Sequence, residues 1–334
     1  MFKSLSIPVT ESSQVGEARR MAHKLGQQAG LNETSLGNLG IVVTELGTNL
    51  HKHAKQGELI LRRLQGKTGA GVEVLSLDRG PGITEVAKCM TDGYSTSGTT
   101  GNGLGSIKRL STIFDIYSST QGTALVSQLW IAPGPGPADF ETGAVCLPYP
   151  GEHLCGDAWT SAQTDNSCTL IVADGLGHGV HAAQAADQAI EVFQDNASLS
   201  PQLCLQKIHA ALRSTRGAAV VILQAANQKI VYSGIGNVSG GILGADTSKS
   251  FVSLNGTIGH QAQRFQEFSY DWPRASLVFF HSDGLHSKWK LSQYPGLQMR
   301  HPSLVAGILY RDFRRERDDV TVVILRHGSK TGPT

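Results

Sequence analysis

The sequence has almost no net charge and no long apolar run, and both absences narrow the class of protein. Lys and Arg number 29 and Asp and Glu number 27 among 334 residues, so the formal net charge is +2. Because there is no basic block and no charged tail, a nucleic-acid-binding function has little support. The longest apolar runs, such as AAVVIL from Ala218, are far too short to span a bilayer, so we expect no membrane insertion.

Cysteine usage excludes further classes. The five cysteines are an odd number and contain no C-x-x-C pair, which argues against a disulfide framework and against a zinc site. No cysteine begins a C-x₅-R loop, so a covalent phosphocysteine mechanism lacks support. The first residues, MFKSLSIPVTESSQ, lack the apolar core of a signal peptide. We therefore expect a reduced, soluble, cytoplasmic protein.

One stretch rich in proline and glycine, APGPGPADFETG at 132–143, interrupts any helix or sheet ladder. It predicts a first domain at 1–131, a linker at 132–143, a second domain at 144–327 and a short tail at 328–334. Both parts are long enough to bury a core of their own.

The two parts differ in their secondary-structure pattern. The first predicts a short strand, two amphipathic helices, two strands, a short helix and two final strands, an arrangement typical of helices on one face of a sheet. The second is mainly strands, with helices near His178–Asp195, Pro201–Ser214 and Ser303–Phe313, which predicts stacked sheets flanked by helices. The expected fold class is therefore α+β with two domains.

Three segments of the first part form a pattern typical of a nucleotide pocket. In VVTELGTNLHKHA, Glu45 and Asn49 belong to a polar stripe, which alone could be the solvated edge of a helix. In DRGPGI, Asp78 ends an apolar strand, where its carboxylate can accept a hydrogen bond from an exocyclic amine. In DGYSTSGTTGNGLGSIKRL, five glycines precede a helix, and backbone amides in such a place suit phosphates.

These segments, in this order, resemble the GHKL family of ATP-binding domains, and within it the small bacterial serine kinases of the RsbT and RsbW type, over about Leu5 to Ile131. The resemblance implies a GHKL (Bergerat-type) α/β sandwich that binds ATP with Mg²⁺. Asn49 would bind the Mg²⁺, Asp78 would read the adenine, and Glu45 would be the general base for a protein hydroxyl. The remaining nucleotide contacts would come from Gly80, Gly82, Gly101, Gly103, Gly105 and Thr123.

In the second part, four aspartates each stand at the end of an apolar strand, namely Asp157, Asp174, Asp283 and Asp318. A single aspartate in such a place is usually a turn former, but four in a cluster would repel one another unless cations filled it. Carboxylates, a backbone carbonyl and water suit Mg²⁺ or Mn²⁺. Two such ions can activate a water for in-line attack on phosphorus, so the pattern predicts a two-metal phosphatase.

The motifs CGDAW, ADGLGHG, YSGIGNV, SDGL and RDDVTVV resemble, in this order, the PPM-type metal-dependent serine/threonine phosphatases of the SpoIIE branch, in particular the RsbX type. The match extends over about Glu141 to Arg326 and implies a PPM-type β-sandwich flanked by helices, with two Mn²⁺ or Mg²⁺ ions. Asp174 would bridge the two ions. The other ligands would be Asp157 and the Gly175 carbonyl at one ion, and Asp283 and Asp318 at the other.

Two residues next to the proposed ligands leave alternatives open. Asp319 could be the ligand instead of Asp318, although the family position favours Asp318. His178 is expected to be structural or to support a ligand, because the metals of this family are held by oxygen. The segment SDGLHSKW lacks the acidic residue that many relatives carry just after the glycine, which could affect substrate choice.

The two resemblances together predict a bacterial stress-signalling regulator that joins opposing activities. The second domain would remove phosphate from serine or threonine of a STAS-domain partner, of the anti-anti-sigma or stressosome type, and the first would phosphorylate such a partner. A sigma factor, a downstream phosphatase or cyclase, and a second copy of the chain are further expected partners. The alternative is a phosphatase whose first domain binds ATP only as a regulatory, partner-switching module. A catalytically silent scaffold is a third reading, which the complete aspartate set disfavours.

Overall fold

A computed structural model describes residues 3–54, 56–90, 103–132, 134, 139–164, 166–244 and 248–328. The chain forms two compact units. The N-terminal unit comprises Ser4–Gly136 together with Leu291–Arg311, and the C-terminal unit comprises Met1–Lys3, Pro137–Lys290 and Asp312–Thr334. No helix within the described residues is long and apolar enough to cross a membrane.

The N-terminal unit is built on a five-stranded antiparallel sheet, one face of which packs against the first two helices. Its first elements are β1 (Ser4–Pro8), α1 (Ser12–Ala29), α2 (Glu33–His53), β2 (Gly57–Gln65), β3 (Ala70–Asp78), α3 (Val86–Cys89), α4 (Gly103–Leu110), β4 (Ile113–Ser119) and β5 (Gly122–Trp130). The strand order is β1-β2-β3-β5-β4. This is the α/β layer that the sequence predicts.

Helices α1 and α2 form because their apolar residues recur at helical spacing and bury one stripe each. The buried residues of α1 include Ala18 and Ala22, and those of α2 include Leu39 and Leu46. They pack with alternate residues of the sheet in one core cluster. Gly30 ends α1 in the left-handed conformation with φ 83°, as the sequence predicts for the helix cap.

The C-terminal unit is a sandwich of two five-stranded sheets. Its elements are β6 (Phe140–Leu147), β7 (Asp157–Gln163), β8 (Ser167–Gly175), α5 (Val180–Asn196), α6 (Pro201–Ala211), β9 (Ala218–Ala226), β10 (Lys229–Ile235), β11 (Ser239–Leu243), β12 (Ser248–Ser250), β13 (Phe268–Asp271), β14 (Leu277–His281) and β15 (Val320–His327). The strand orders are β13-β10-β9-β8-β7 and β12-β11-β14-β15-β6. The predicted stacked sheets are thus confirmed.

One core cluster draws residues from both sheets of the sandwich, for example Val172 and Tyr232 from the first and Phe280 and Val323 from the second. A second cluster joins the outer face of the first sheet to α5 and α6. Strand β6 begins at Phe140, inside the stretch that the sequence predicts to be a linker, because its pairing with β15 continues to Phe140 opposite His327.

The last helix, α7 (Pro302–Phe313), does not lie where the sequence predicts it, in the second domain. Its segment, Leu291–Arg311, clusters with the N-terminal unit although it lies in the second half of the chain. A Cβ at Gly307 would lie 2.7 Å from Leu75 Cδ2 and 3.0 Å from Leu77 Cδ2, so the helix rests closely on β3. These leucines alternate with the β3 residues that face α1 and α2, so α7 covers the opposite face of the sheet.

A buried polar network lies on this α7 face. Glu73 accepts hydrogen bonds from Arg62 at 2.8 Å, from Gln128 at 2.7 Å and from the Ser303 hydroxyl of α7 at 2.7 Å. Burial raises the pKa of Glu73, but Arg62, His301 and these hydrogen bonds lower it, and the net shift is downward. The carboxylate is therefore charged, and it compensates an arginine that is only 3% exposed.

We expect Glu73→Ala to destabilise the N-terminal unit by about 3–5 kcal/mol, because it leaves the Arg62 guanidinium buried without its counter-charge. Urea unfolding followed by circular dichroism measures the change. The control is Glu17→Ala, on the exposed face of α1, which should stay within about 0.5 kcal/mol of the parent. A loss below about 1 kcal/mol for Glu73→Ala would show that the network contributes little.

Candidate active sites

The strand ends of the C-terminal unit carry the predicted aspartates. Asp157 opens β7 and lies directly opposite Asp174 near the end of β8, because the two strands pair antiparallel. Asp283 follows β14 by two residues, and Asp318 precedes β15, its neighbour in the second sheet. Each sheet thus places two of the predicted ligands at the ends of two neighbouring strands.

Carboxylates from both sheets lie close enough to raise one another's pKa values. Burial, and then the charges of Asp157 and Asp283, raise the pKa of Asp174 well above its ordinary value. Burial and the charge of Asp319 raise the pKa of Asp157 to about 7, although the Ser282 hydroxyl lowers it. Burial and the neighbouring Asp283 raise the pKa of Asp318 to about 6. The four predicted residues therefore form one cluster with Asp319.

Three buried carboxylate oxygens in this cluster lack a polar partner. The Oδ2 atoms of Asp157, Asp174 and Asp319 are buried and have no hydrogen-bond partner. A buried carboxylate oxygen without a partner is unfavourable unless a proton or a metal ion satisfies it. Within the described part of the chain, no group of three or more His, Cys, Asp and Glu side chains could hold a metal ion as it stands. Binding would therefore have to draw these oxygens closer together.

Glycines bring the backbone to the cluster. A Cβ at Gly156 would lie 2.6 Å from Asp319 Oδ2, and a Cβ at Gly175 would collide with the Ala182 carbonyl oxygen at the start of α5. The Gly175 amide donates to the Gly156 carbonyl at 3.0 Å, which joins the two loops. The glycines of CGDAW and ADGLGHG therefore serve close approach as well as turn formation.

Two further contacts of the cluster involve residues that the sequence analysis does not single out. The Asn237 amide donates from Nδ2 to Asp283 Oδ2 at 2.8 Å, which fixes the orientation of that carboxylate. The Tyr149 backbone N–H donates to Asp319 Oδ1 at 2.9 Å. Asn237 stands in the motif YSGIGNV, which gave a signal for it, whereas nothing in the sequence around Tyr149 did.

His178 lies beside the cluster without joining it. Its Nδ1 is 3.2 Å from Glu152 Oε1, and its ring stacks on Tyr149 with 4.9 Å between the ring centroids. The histidine thus packs against the residue whose backbone holds Asp319. Its predicted role, structural or in support of a ligand, stays a prediction.

In the N-terminal unit, the structure brings the predicted adenine residues together. Asp78 ends β3, and its Oδ1 accepts the backbone N–H groups of Gly80 at 2.7 Å and Thr123 at 3.1 Å. These two bonds fix the carboxylate and leave Oδ2 for a further partner. Gly82 has φ 79°, and a Cβ there would collide with the Ser119 carbonyl oxygen. Only glycine fits this turn without strain.

Glu45 and Asn49 lie one turn apart on α2, beside the start of α4. A Cβ at Gly103 would be 3.0 Å from Glu45 Oε2, so the first residue of α4 faces the proposed base. Gly105 is buried in the same helix. Gly101, also predicted to contact phosphate, lies outside the described residues.

The comparisons with known proteins match a different family to each half of the chain. Residues 8–128 match the family described as Histidine kinase-like ATPase domain, and residues 164–328 match the family described as Stage II sporulation protein E (SpoIIE). The chain therefore carries one segment that matches each of these two families, in the order that the sequence predicts. This confirms the two predicted families and the predicted fold class.

Individual relatives match one half each. Serine/threonine-protein kinase RsbT of Bacillus subtilis (strain 168) is 29% identical over 115 residues, which cover 34% of this chain and 86% of RsbT. Phosphoserine phosphatase RsbX of the same organism is 26% identical over 140 residues, which cover 41% of this chain and 70% of RsbX.

Two solved structures share the fold of part of the chain. One is a structure described as "The bacterial stressosome: a modular system that has been adapted to control secondary messenger signaling". Its TM-score is 0.52 at 26% identity, and the match covers 56% of this chain and 99% of that one. RsbX in complex with magnesium has a TM-score of 0.52 and 22% identity, and the match covers 57% of this chain and 96% of that one.

The raised pKa of Asp157 predicts how the stability of the metal-free protein varies with pH. The pKa of this carboxyl is about 7 in the folded state, against about 3.9 in an unfolded chain. Stability from the bound proton is therefore present at low pH and is lost as the pH rises through about 7. In EDTA, the midpoint of thermal unfolding should fall between about pH 5 and about pH 8.

In that experiment Asp157→Asn should have a flatter dependence on pH, because the amide does not titrate. Added Mn²⁺ should raise the unfolding midpoint of the parent at the alkaline end. An unchanged slope in Asp157→Asn would assign the pH dependence to other groups.

Proposed function

We propose that this chain is a metal-dependent phosphoserine/phosphothreonine phosphatase joined to an ATP-binding serine/threonine kinase unit, and that both act on a STAS-domain partner. The observation that carries the phosphatase is the group of buried carboxylate oxygens without partners at the strand ends of one β-sandwich. The family match and the similarity to RsbX support the same activity.

In this proposal Asp174 lies between two Mn²⁺ or Mg²⁺ positions. Asp157 and the Gly175 carbonyl would hold one ion, and Asp283 and Asp318 the other. Bound ions would supply an activated water and charge neutralisation for an in-line attack on phosphorus.

The residues around the ligands set their orientation. Asn237 orients Asp283 by its amide hydrogen bond, and the Tyr149 backbone holds Asp319 beside Asp157. Between the two adjacent aspartates, the contact with Asp283 favours Asp318 as the ligand. Asp319 stays the alternative, because its Oδ1 accepts the Tyr149 N–H while its Oδ2 is buried without a partner.

For the N-terminal unit, the proposal assigns ATP to the turn around Asp78. The Asp78 carboxylate would accept the adenine amine, Thr123 and Gly80 would hold that carboxylate, and Asn49 would bind the Mg²⁺ that accompanies the phosphates. Glu45 would accept the proton of the attacking hydroxyl. Kinase catalysis consists mainly of positioning and charge neutralisation, for which these groups suffice.

The partner follows from the relatives rather than from the geometry. RsbT is a serine/threonine-protein kinase and RsbX a phosphoserine phosphatase. A chain that carries a relative of each places opposing activities at high effective concentration around one substrate. We propose a STAS-domain protein of the anti-anti-sigma or stressosome type as that substrate, with a sigma factor or a downstream enzyme reached through it.

A second candidate function concerns the N-terminal unit alone. It could bind ATP and switch partners without transferring phosphate, since the presence of Glu45 beside α4 does not by itself establish transfer. Phosphate transfer to a STAS-domain protein separates the two functions.

The phosphatase predicts Mn²⁺-dependent hydrolysis of p-nitrophenyl phosphate. Asp174→Asn should lower turnover by more than about 100-fold, because even residues that only support a metal ligand contribute about 10–100-fold. Asp195→Asn, an exposed change on α5, is the matched control and should leave turnover unchanged. Equal turnover in Asp174→Asn and the parent would refute the metal assignment.

The kinase predicts ATP-dependent labelling of a STAS-domain protein. Glu45→Ala should lower the rate by about 10²–10⁴-fold while nucleotide still binds, because it removes only the proton acceptor. The control on the same helix is Glu33→Ala, an exposed residue in the first turn of α2. Labelling that is insensitive to Glu45→Ala would remove this residue from the mechanism, and a complete absence of labelling in the parent would favour the partner-switching function.

A further inference from the structure

The segment Leu291–Arg311 lies between two proposed metal ligands in the chain, Asp283 and Asp318, yet it belongs to the N-terminal unit. Contacts along its length fix it there. The His301 backbone N–H donates to Asp115 at 2.7 Å, the Ser303 hydroxyl donates to Glu73 at 2.7 Å, and the Tyr310 hydroxyl donates to Glu58 at 3.2 Å.

The end of this segment reaches the turn of the proposed nucleotide site. Arg311, which is 5% exposed, donates from Nη1 to the Asp78 carbonyl oxygen at 2.8 Å. The Arg79 guanidinium donates in return to the Arg311 carbonyl oxygen. Two consecutive residues at the start of the adenine turn, Asp78 and Arg79, are thus bonded to one residue of α7.

Arg311 also lies close to Gly122, the first residue of β5. At Gly122, with φ 124°, a Cβ would be 2.9 Å from Arg311 Nη1 and would collide with the Asp78 carbonyl oxygen. The next residue, Thr123, donates its backbone N–H to the Asp78 carboxylate. The guanidinium therefore supports both strand ends that orient this carboxylate.

Immediately after Arg311, the chain pairs with the residues that follow Asp283. The His286 N–H donates to the Phe313 carbonyl at 2.9 Å, and the Arg315 N–H donates to the Gly284 carbonyl at 2.8 Å. Gly284 adjoins Asp283, and Arg315 precedes Asp318 by three residues. Only Asp312 separates Arg311 from this pairing.

We propose that Arg311 is a positioning residue of the nucleotide site and that, through it, nucleotide binding at Asp78 is coupled to cation binding at Asp283 and Asp318. The inference rests on the proposed function and deepens it by naming how its two sites communicate. Because Arg311 and Phe313 both belong to α7, a displacement of Arg311 would also move the backbone that pairs beside Asp283 and leads to Asp318. Linkage then requires the effect to be reciprocal.

Three variants of the full chain separate this role from a merely structural one. Arg311→Met keeps the unbranched apolar stem of the side chain and removes the bond to the Asp78 carbonyl, whereas Arg311→Lys keeps the charge and an N–H donor group. The matched control is Arg300→Met, because Arg300 is on the same segment but bonds to Asp115, with 3.1 Å between Nη1 and Oδ1. Arg311→Lys carries the test if Arg311→Met does not fold.

The experiment measures the Mn²⁺ concentration for half-maximal hydrolysis of p-nitrophenyl phosphate, with and without a saturating non-hydrolysable ATP analogue, and with free Mn²⁺ fixed by a chelator buffer. In the parent and in Arg300→Met, we expect the analogue to shift this concentration by at least about fivefold. Arg311→Met should abolish the shift, and Arg311→Lys should keep part of it. Hydrogen exchange, an independent readout, should slow or quicken at His286 and Arg315 when the analogue binds to the parent.

An analogue that binds to a working phosphatase without any shift would overturn the coupling and leave the proposed function intact. A shift that persists fully in both Arg311 variants would overturn the role of Arg311. If the parent binds no analogue or shows no Mn²⁺-dependent turnover, the proposed function fails, and the inference fails with it.

Discussion

The repulsion among buried carboxylates is the constraint on which the C-terminal unit depends. Asp157 and Asp319 are almost fully buried, and each raises the pKa of its neighbours because a second negative charge in such surroundings is unfavourable. Repulsion would separate these carboxylates if other parts of the unit did not hold them together. The two sheets, the close approach of the backbone at the glycines and the hydrogen bond from Asn237 do so. Such an arrangement is favourable only with a cation or with bound protons, and the proposed metal ions would supply the first.

The second constraint is the path of the chain. The N-terminal unit is a sheet with α1 and α2 on one face and α7 on the other, and α7 comes from the stretch between Asp283 and Asp318. Neither unit is therefore one continuous piece of sequence. Cutting the chain at the proline-rich stretch would separate α7 from the sheet and from the buried Glu73 network that it completes. The chain thus passes between the two units more than once, and the proposed communication between the two sites uses one of these passages.

Periodicity and motifs predicted much of this architecture. Apolar spacing located α1, α2 and α5, and the helix predicted near Ser303–Phe313 is α7. The place of α7 could not be predicted, because a helix that is apolar all round indicates burial but not the surface that buries it. The motifs DRGPGI and QGT led to Asp78 and Thr123. Arg311 and the Tyr149 backbone gave no local signal, because their contacts are with residues distant in sequence.

The central claim is that the strand-end aspartates hold divalent cations. Anomalous diffraction from crystals of the full chain grown with Mn²⁺ tests it most directly, because the signal locates the metal independently of activity. The account predicts two neighbouring peaks, with Asp174 in contact with both, Asp157 and the Gly175 carbonyl at one, and Asp283 and Asp318 at the other. Mn²⁺ bound elsewhere on the chain, with these carboxylates free of metal, would contradict it.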